Sequence, residues 1–185
     1  AVVPERSTLT KIRFYGSRES LLDKSQILLQ ADRGPRDELP SGVFESLTEQ
    51  AMSSLGDSCA IVLSDYDKGV LNAAGARVLI DAASEAGLPV IMDPKLSGLG
   101  RSRGADVVLF EKRGLDLLSR RQMASDPADA AKSLIEEHDW GAMLVLGGIH
   151  GVTLYRAGLE QMHIPCAALA PVQQIGLHDA AATAL

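Results

Sequence analysis

Only two cysteines occur in 185 residues, Cys59 and Cys166. Their separation fits neither a metal-ligand spacing nor a redox Cys-x-x-Cys pair, which excludes a zinc-ribbon site and a disulfide framework. Both have apolar neighbours, so they read as core thiols, and a reducing cytoplasm is the expected compartment. Aromatic residues are scarce at 4%, and 18 Lys and Arg are scattered among 24 Asp and Glu for a net charge of -6. Without a basic stripe interleaved with aromatics, nucleic acid is not an expected partner. No apolar run reaches the roughly 18 residues of a membrane span, so no membrane partner is expected either. Gly-x-Ser-x-Gly and Walker-type loops are both missing. No two of the four histidines (138, 150, 163, 178) have metal-ligand spacing, so no metal site is predicted and they read as surface or packing residues. No signal peptide opens the chain, and there is no initiating Met. "AVVPERSTL" reads as the middle of something, and an N-terminal part of the fold is expected to be missing.

What is present is a hydrophobic share of 46%, enough for a substantial core and suited to one domain or most of one. Two strand-like segments come first, Thr8 to Gly16 and Ser25 to Asp32. The first alternates Leu9, Lys11 and Arg13 against Thr10, Ile12 and Phe14, which suits a half-exposed antiparallel strand. A loop leads to a helical pattern over Val43 to Leu55. Strand and helix then alternate. "CAIVLS" is a continuous apolar strand. Asn72 can cap a helix running to Ala86, with Leu79, Ala82, Ala83 and Ala86 on one face, and Gly87 ends it. A short "VIM" strand follows, then Ala105 to Phe110, then a short helix at Leu115 to Arg120. Asp126-Pro127 starts another helix whose inward side is Ala131, Leu134, Ile135 and His138. Ala142 to Gly148 is a fourth buried strand. "GVTLYRAG" and "EQMHIPC" suit a closing antiparallel pair, and a last helix begins near Asp179.

Four apolar strands separated by helices imply an α/β fold: a largely parallel central sheet with helices on both faces, plus a small β lid. In such sheets ligands sit beyond the carboxyl ends of the strands. "SDYDKG", "DPK", "EKRG" and "GGIHG" all fall there. Lys68 and Lys95 are compact cations at two of these ends and suit a phosphorylated or otherwise anionic ligand. Asp65 and Asp93 can orient them or hold a metal through water. The competing reading is a plain turn, with Asp as cap, Gly at positive φ and Lys solvated. Gly176 before Asp179, at the start of an Ala-rich helix, suits an anion-cradling turn. There Asp179 can accept a hydroxyl proton, or can simply cap the helix. His178 borders that turn.

"VLSDYDKGVL", then "GLPVIMDPK", then "RSRGADVVLF", resembles the ribokinase-like (PfkB) carbohydrate kinases, closest to the heptose-phosphate kinase half of bifunctional ADP-heptose synthases. The upstream "STLTKIRFYGSRESLLDKSQILLQAD" is similar to that family's lid, a Thr-x-Lys-x-Arg strand followed by a second strand. The resemblance implies one partial ribokinase-like domain over 1–185 with its lid strands within 8–32, Lys11 and Arg13 on the lid, and ATP and Mg as cofactors. It further implies phosphoryl transfer to a hydroxyl of a sugar or sugar phosphate. On the family's Gly-Ala-Gly-Asp turn, Gly176 takes the first glycine and His178 the second, as the anion hole, and Asp179 takes the catalytic base. Asp65, Lys68, Asp93 and Lys95 take the sugar or phosphate side.

The departures share a direction. Leu177 and His178 replace alanine and glycine of the turn, and Gln173-Gln174-Ile175 replaces the Asp-x-Thr before it. Phe110, Glu111 and Gly114 stand where the family has Pro-Asn-x-x-Glu, and Leu146-Gly147-Gly148 where it has Thr-Arg or Thr-Lys. One lost anion-hole donor typically costs roughly 100- to 1000-fold in rate, so impaired activity is expected, with a catalytically inactive binding or scaffold domain as the alternative. Family kinases are longer at both ends. "CAIVLS" is therefore expected at an open apolar sheet edge, covered by a missing segment or by a second copy in a homo-oligomer.

Overall fold

The computed structural model describes residues 3, 6–16, 26–35, 37, 39–167 and 176–185. Its first unit is a two-stranded antiparallel sheet of β1 (Thr10–Gly16) and β2 (Gln26–Arg33), with a bulge between Phe14 and Tyr15. The expected second strand began at Ser25, which lies outside the described residues. Because paired residues share a face, the register places Ile12, Phe14, Leu29 and Ala31 on one side. Lys11, Arg13, Gln30 and Asp32 lie on the other. The half-exposed pattern expected for β1 is not met: every residue from Thr10 to Tyr15 is exposed.

After α1 (Ser41–Ser53) the chain builds a six-stranded sheet in sequential order. β3 (Ile61–Asp65), β4 (Val90–Pro94), β5 (Val107–Glu111) and β6 (Ala142–Leu146) run parallel. β7 (Val152–Arg156) and β8 (Met162–Ile164) close the sheet antiparallel, as their turn-bounded patterns suggested. The crossovers are α2 (Ala73–Glu85), a 3-10 segment over Leu96–Ser102, and the pair α3 (Lys112–Gln122) and α4 (Pro127–His138). α5 (Leu177–Ala184) comes last.

Local chemistry sets these boundaries. Asn72 Oδ1 accepts from Gly75 N at 2.9 Å to start α2, and Asp126 Oδ1 accepts from Asp129 N at 2.9 Å to start α4. Pro127 supplies the fixed φ of a first helical position. α3 is longer than the Leu115 to Arg120 expected, because its polar first turn carries no apolar period and is tied instead by Lys112 to Asp116 at 2.7 Å. On α2 the inward stripe is Ala76, Leu79, Ile80 and Ala83. Ala86 is the C-cap and is exposed, contrary to expectation.

One face of the sheet holds the main core: Val90, Met92, Val108, Phe110, Met143 and Val145 meet α2, α3 and α4 through Ile80, Leu115, Leu134 and Ile135. Trp140 closes its lower end, donating Nε1–H to Ser102 Oγ and Ser102 O at 3.0 Å and stacking on buried His138. The other face is covered by α5 alone among the described residues, where Ala181 and Ala182 lie on Ile91, Leu109, Val107 and Leu144. Helices therefore lie on both faces, but unequally. β3 is a sheet edge, as expected. Its apolar run is not buried throughout, and Val62 is 49% exposed because among the described residues no element covers its side of that edge. Both cysteines are exposed, correcting the core assignment: Cys59 precedes the edge strand β3 and Cys166 follows the edge strand β8.

Candidate functional site

The end of β3 carries a cluster of charge, Asp65, Asp67 and Lys68. Asp65 is 3% exposed. Its Oδ1 accepts from Asp67 N at 2.8 Å, which folds the chain back on itself. Its Oδ2 accepts from Arg101 Nε at 2.6 Å, and Arg101 Nη2 reaches Asp67 Oδ1 at 2.5 Å. Ser97 Oγ donates to Asp67 Oδ2 at 2.5 Å. The Ser97 hydrogen bond, and then that of Arg101, hold the Asp67 carboxyl below the usual carboxylate range. The arrangement needs Gly98: a Cβ there would lie 2.3 Å from Arg101 Nη2 and 2.8 Å from Asp65 Oδ2.

Asp65 thus serves Arg101, a partner the sequence reading did not name, and not the lysines. Lys68 Nζ instead reaches Asp32 Oδ2 of the lid at 3.1 Å. Lys95 Nζ lies over the Tyr66 ring, 5.1 Å from its centroid. The two ammonium groups therefore have separate partners. Lys95 lines a small cleft of about 110 Å³ together with Asp93, Leu96, Phe110 and Gly114, and Lys68 is not on its wall. Lys11 and Arg13 share with Asp32 the charged face of the lid.

α5 begins with Gly176 at φ 82°, a conformation that favours glycine. Among the described residues no side chain caps this helix, so the plain-cap reading of Asp179 does not hold. Its carboxylate is exposed in the first turn. Gln173, Gln174 and Ile175 lie outside the described residues. His178 turns inward. Its Nδ1 is 3.0 Å from Asp93 Oδ1, and its Nε2 is 3.8 Å from Glu111 Oε1. The hydrogen bond to Asp93 raises the His178 pKa, opposed by burial and by Lys95 and reinforced by the charges of Asp93 and Glu111.

A larger cleft of about 410 Å³ opens on the other side of His178. Lys112, Arg113, His150 and the Gly147–Gly148 backbone line it, with Glu111 and Asp116 as the acids. His178 and Glu111 belong to the walls of both clefts. The cationic groups and the backbone N–H groups of the first turn of α5 suit an anion. His150, read as a surface or packing residue, is exposed and stands at the rim of this cleft. Among the described residues no group of three metal-ligating side chains converges.

No family model matches the chain. It is 32% identical over 164 residues to the bifunctional protein HldE of Vibrio cholerae, covering 88% of this chain and 32% of that protein. It is 30% identical over 185 residues to HldE of Shewanella denitrificans, covering 100% of this chain and 37% of that protein. The chain therefore spans about a third of the length of these curated relatives. Among solved structures, phosphofructokinase-2 from Escherichia coli in complex with fructose-6-phosphate superposes with a TM-score of 0.58. That match has 17% identity and covers 83% of this chain and 52% of that one.

Proposed function

We propose that this chain, a ribokinase-like carbohydrate kinase relative in sequence and fold, forms the strand-end part of a sugar-phosphate kinase site that transfers a phosphoryl group from ATP at reduced rate. The observation that carries the reading is Asp179: an exposed carboxylate in the first turn of α5 that caps nothing among the described residues, on a helix that opens with a glycine at positive φ and whose Leu177 and His178 line a cleft bearing Lys112, Arg113 and His150 alongside Glu111 and Asp116.

In this reading ATP lies in the larger cleft, with Lys112, Arg113 and His150 near its phosphates. A sugar hydroxyl attacks the γ-phosphorus, its proton passes to Asp179, and the bond from that phosphorus to the departing ADP oxygen breaks. The N–H groups of the Gly176 turn and the first turn of α5 oppose the charge on the transferred group, so the chain's contribution is positioning and electrostatic stabilisation. Lys95 and Asp93 lie toward the acceptor. Lys68, through Asp32, holds the charged face of the lid, with Lys11 and Arg13, over the rim. Mg²⁺ would enter with the ATP phosphates, and no side chain is assigned to it. The domain extent, 1–185 with the lid within 8–32, and a cytoplasmic location belong to the same proposal. No described helix is long and apolar enough to cross a membrane. The exposed apolar face of the lid and the open β3 edge suit a cover supplied by a second copy or by more of the same protein.

A second reading, a pseudokinase that binds a sugar phosphate without turnover, is favoured by two features. His178 fills the turn with a side chain bound to Asp93, and Glu111 sets a negative charge at the edge of the proposed ATP cleft. Two measurements separate the readings. A ligand at about 100 times its dissociation constant adds roughly 2.7 kcal/mol of stability, so Mg-ATP and sugar phosphates are each titrated against thermal unfolding. ATP-dependent phosphorylation of a sugar phosphate that disappears in Asp179→Asn supports the kinase. A shift with sugar phosphate, none with ATP and no turnover supports the pseudokinase. No shift with either ligand overturns both.

A further inference from the structure

We propose that His178 is the positioning residue of this rim. Its ring, held between the Asp93 and Glu111 carboxylates, seats the first turn of α5 where the two clefts meet.

Among the described residues the attachment of α5 is otherwise thin. Its apolar contact is Ala181 and Ala182 on Ile91, Leu109, Val107 and Leu144. Alanine side chains bury little area, and an eight-residue helix does not sustain itself in water. The Asp93 side chain is only 9% exposed, and a carboxylate so far from water needs a charged or hydrogen-bonded partner. His178 Nδ1 supplies one at 3.0 Å. The contact joins residues 85 positions apart, and so ties the last helix to the end of β4.

The charged groups around the ring set its preferred form. From the β4 side come Asp93 and Lys95, and from β5 and α3 come Glu111, Lys112, Arg113 and Asp116. His150 faces the cleft from beyond β6, and Asp179 is the next residue of α5. The two carboxylates at 3.0 and 3.8 Å are the nearest of these with a recorded contact to the ring. They favour the imidazolium, in agreement with its raised pKa. A group whose pKa rises on docking contributes fully below its undocked pKa, and that contribution is lost as pH rises through the docked value. The seating of α5 therefore weakens with rising pH. Under the kinase reading, on which this one consequence rests, the position of Asp179 loosens with it.

The test is amide hydrogen exchange of residues 176–185 in the full chain, corrected for intrinsic rates, between about pH 5.5 and 8.5 where histidine titrates. Wild type, His178→Asn, His178→Ala and Asp93→Asn are compared, with α4 as internal control for global unfolding. Asn keeps a donor near the Nδ1 position but does not titrate. Wild-type protection of α5 is expected to fall severalfold as pH rises across the His178 titration, while α4 stays constant. His178→Ala loses α5 protection at every pH. His178→Asn restores part of it with a flat profile. In Asp93→Asn, imidazole NMR finds His178 titrating lower than in wild type. Wild-type protection that is flat with pH, or unchanged in His178→Ala, overturns the proposal. Ligand binding is read separately. The exchange pattern without any ATP or sugar-phosphate binding sinks the functional reading and leaves the latch standing, and the converse result does the opposite.

Discussion

Asp65 is nearly removed from water at the end of β3, and Arg101 forks across it and Asp67. Truncating one partner of such a pair strands the other, which costs about 3 kcal/mol or more for a buried carboxylate. Arg101→Ala is therefore expected to lower the unfolding free energy by that order, read as a lower urea midpoint at unchanged m-value. Arg101→Lys does not rescue it, because an ammonium lacks the planar fork that serves two carboxylates. Acid acts on the same network. Asp67 titrates below the usual range, first through Ser97 and then through Arg101, so its contribution is present above its unfolded pKa of about 4 and is lost as pH falls through the lower folded value. The acid limb of a stability–pH curve should be shallower in Arg101→Ala than in wild type. None of this pairing was legible beforehand. Acid, phenol, acid and ammonium at a strand end mark a rim, but Arg101 stands 36 residues from Asp65 in a segment with no period, and nothing local connects them. The same limit hid His178 from Asp93.

Helix starts were legible because their causes lie within four residues. Asp126-Pro127-x-Asp129 names the cap, the first position and the donor, and α4 begins there. Asp126→Ala is expected to cost about 1 kcal/mol and Asp126→Asn much less, since both Asp and Asn accept from the N3 amide. In a chain of this size that is a shift of roughly 2–4 °C in Tm, readable by calorimetry. Burial was less legible than position. The "CAIVLS" run has the hydropathy of a strand covered on both faces, yet β3 exposes Val62. Periodicity reports the chain's own pattern, not which neighbour arrives to cover it. α3 shows the opposite error, its first turn invisible to an apolar period because Lys112 and Asp116 hold it by charge. α5 starts at Leu177, two residues before Asp179, because a glycine at positive φ opened the helix where an acidic cap was one of the readings.

At the scale of the whole molecule the apolar surface is unevenly placed. The main core lies between the sheet and α2 to α4, while the lid shows solvent a face made of Ile12, Phe14, Leu29 and Ala31, with Phe14 51% and Leu29 58% exposed. An isolated two-stranded ribbon is marginal in water, and its stability comes from whatever buries that face. The charged face is already committed, since Asp32 reaches Lys68 on the body. A second copy would meet the requirement with no new chemistry if the same apolar face, turned about a two-fold axis, packed on its own equivalent. The chain is then expected to self-associate with concentration in sedimentation velocity. Phe14→Glu combined with Leu29→Lys should abolish association and leave the near-ultraviolet signal of Trp140, which lies in the main core, unchanged. A chain that stays monomeric at every concentration, and whose lid exchanges its amides equally fast with and without those two substitutions, would assign the cover to another part of the same protein.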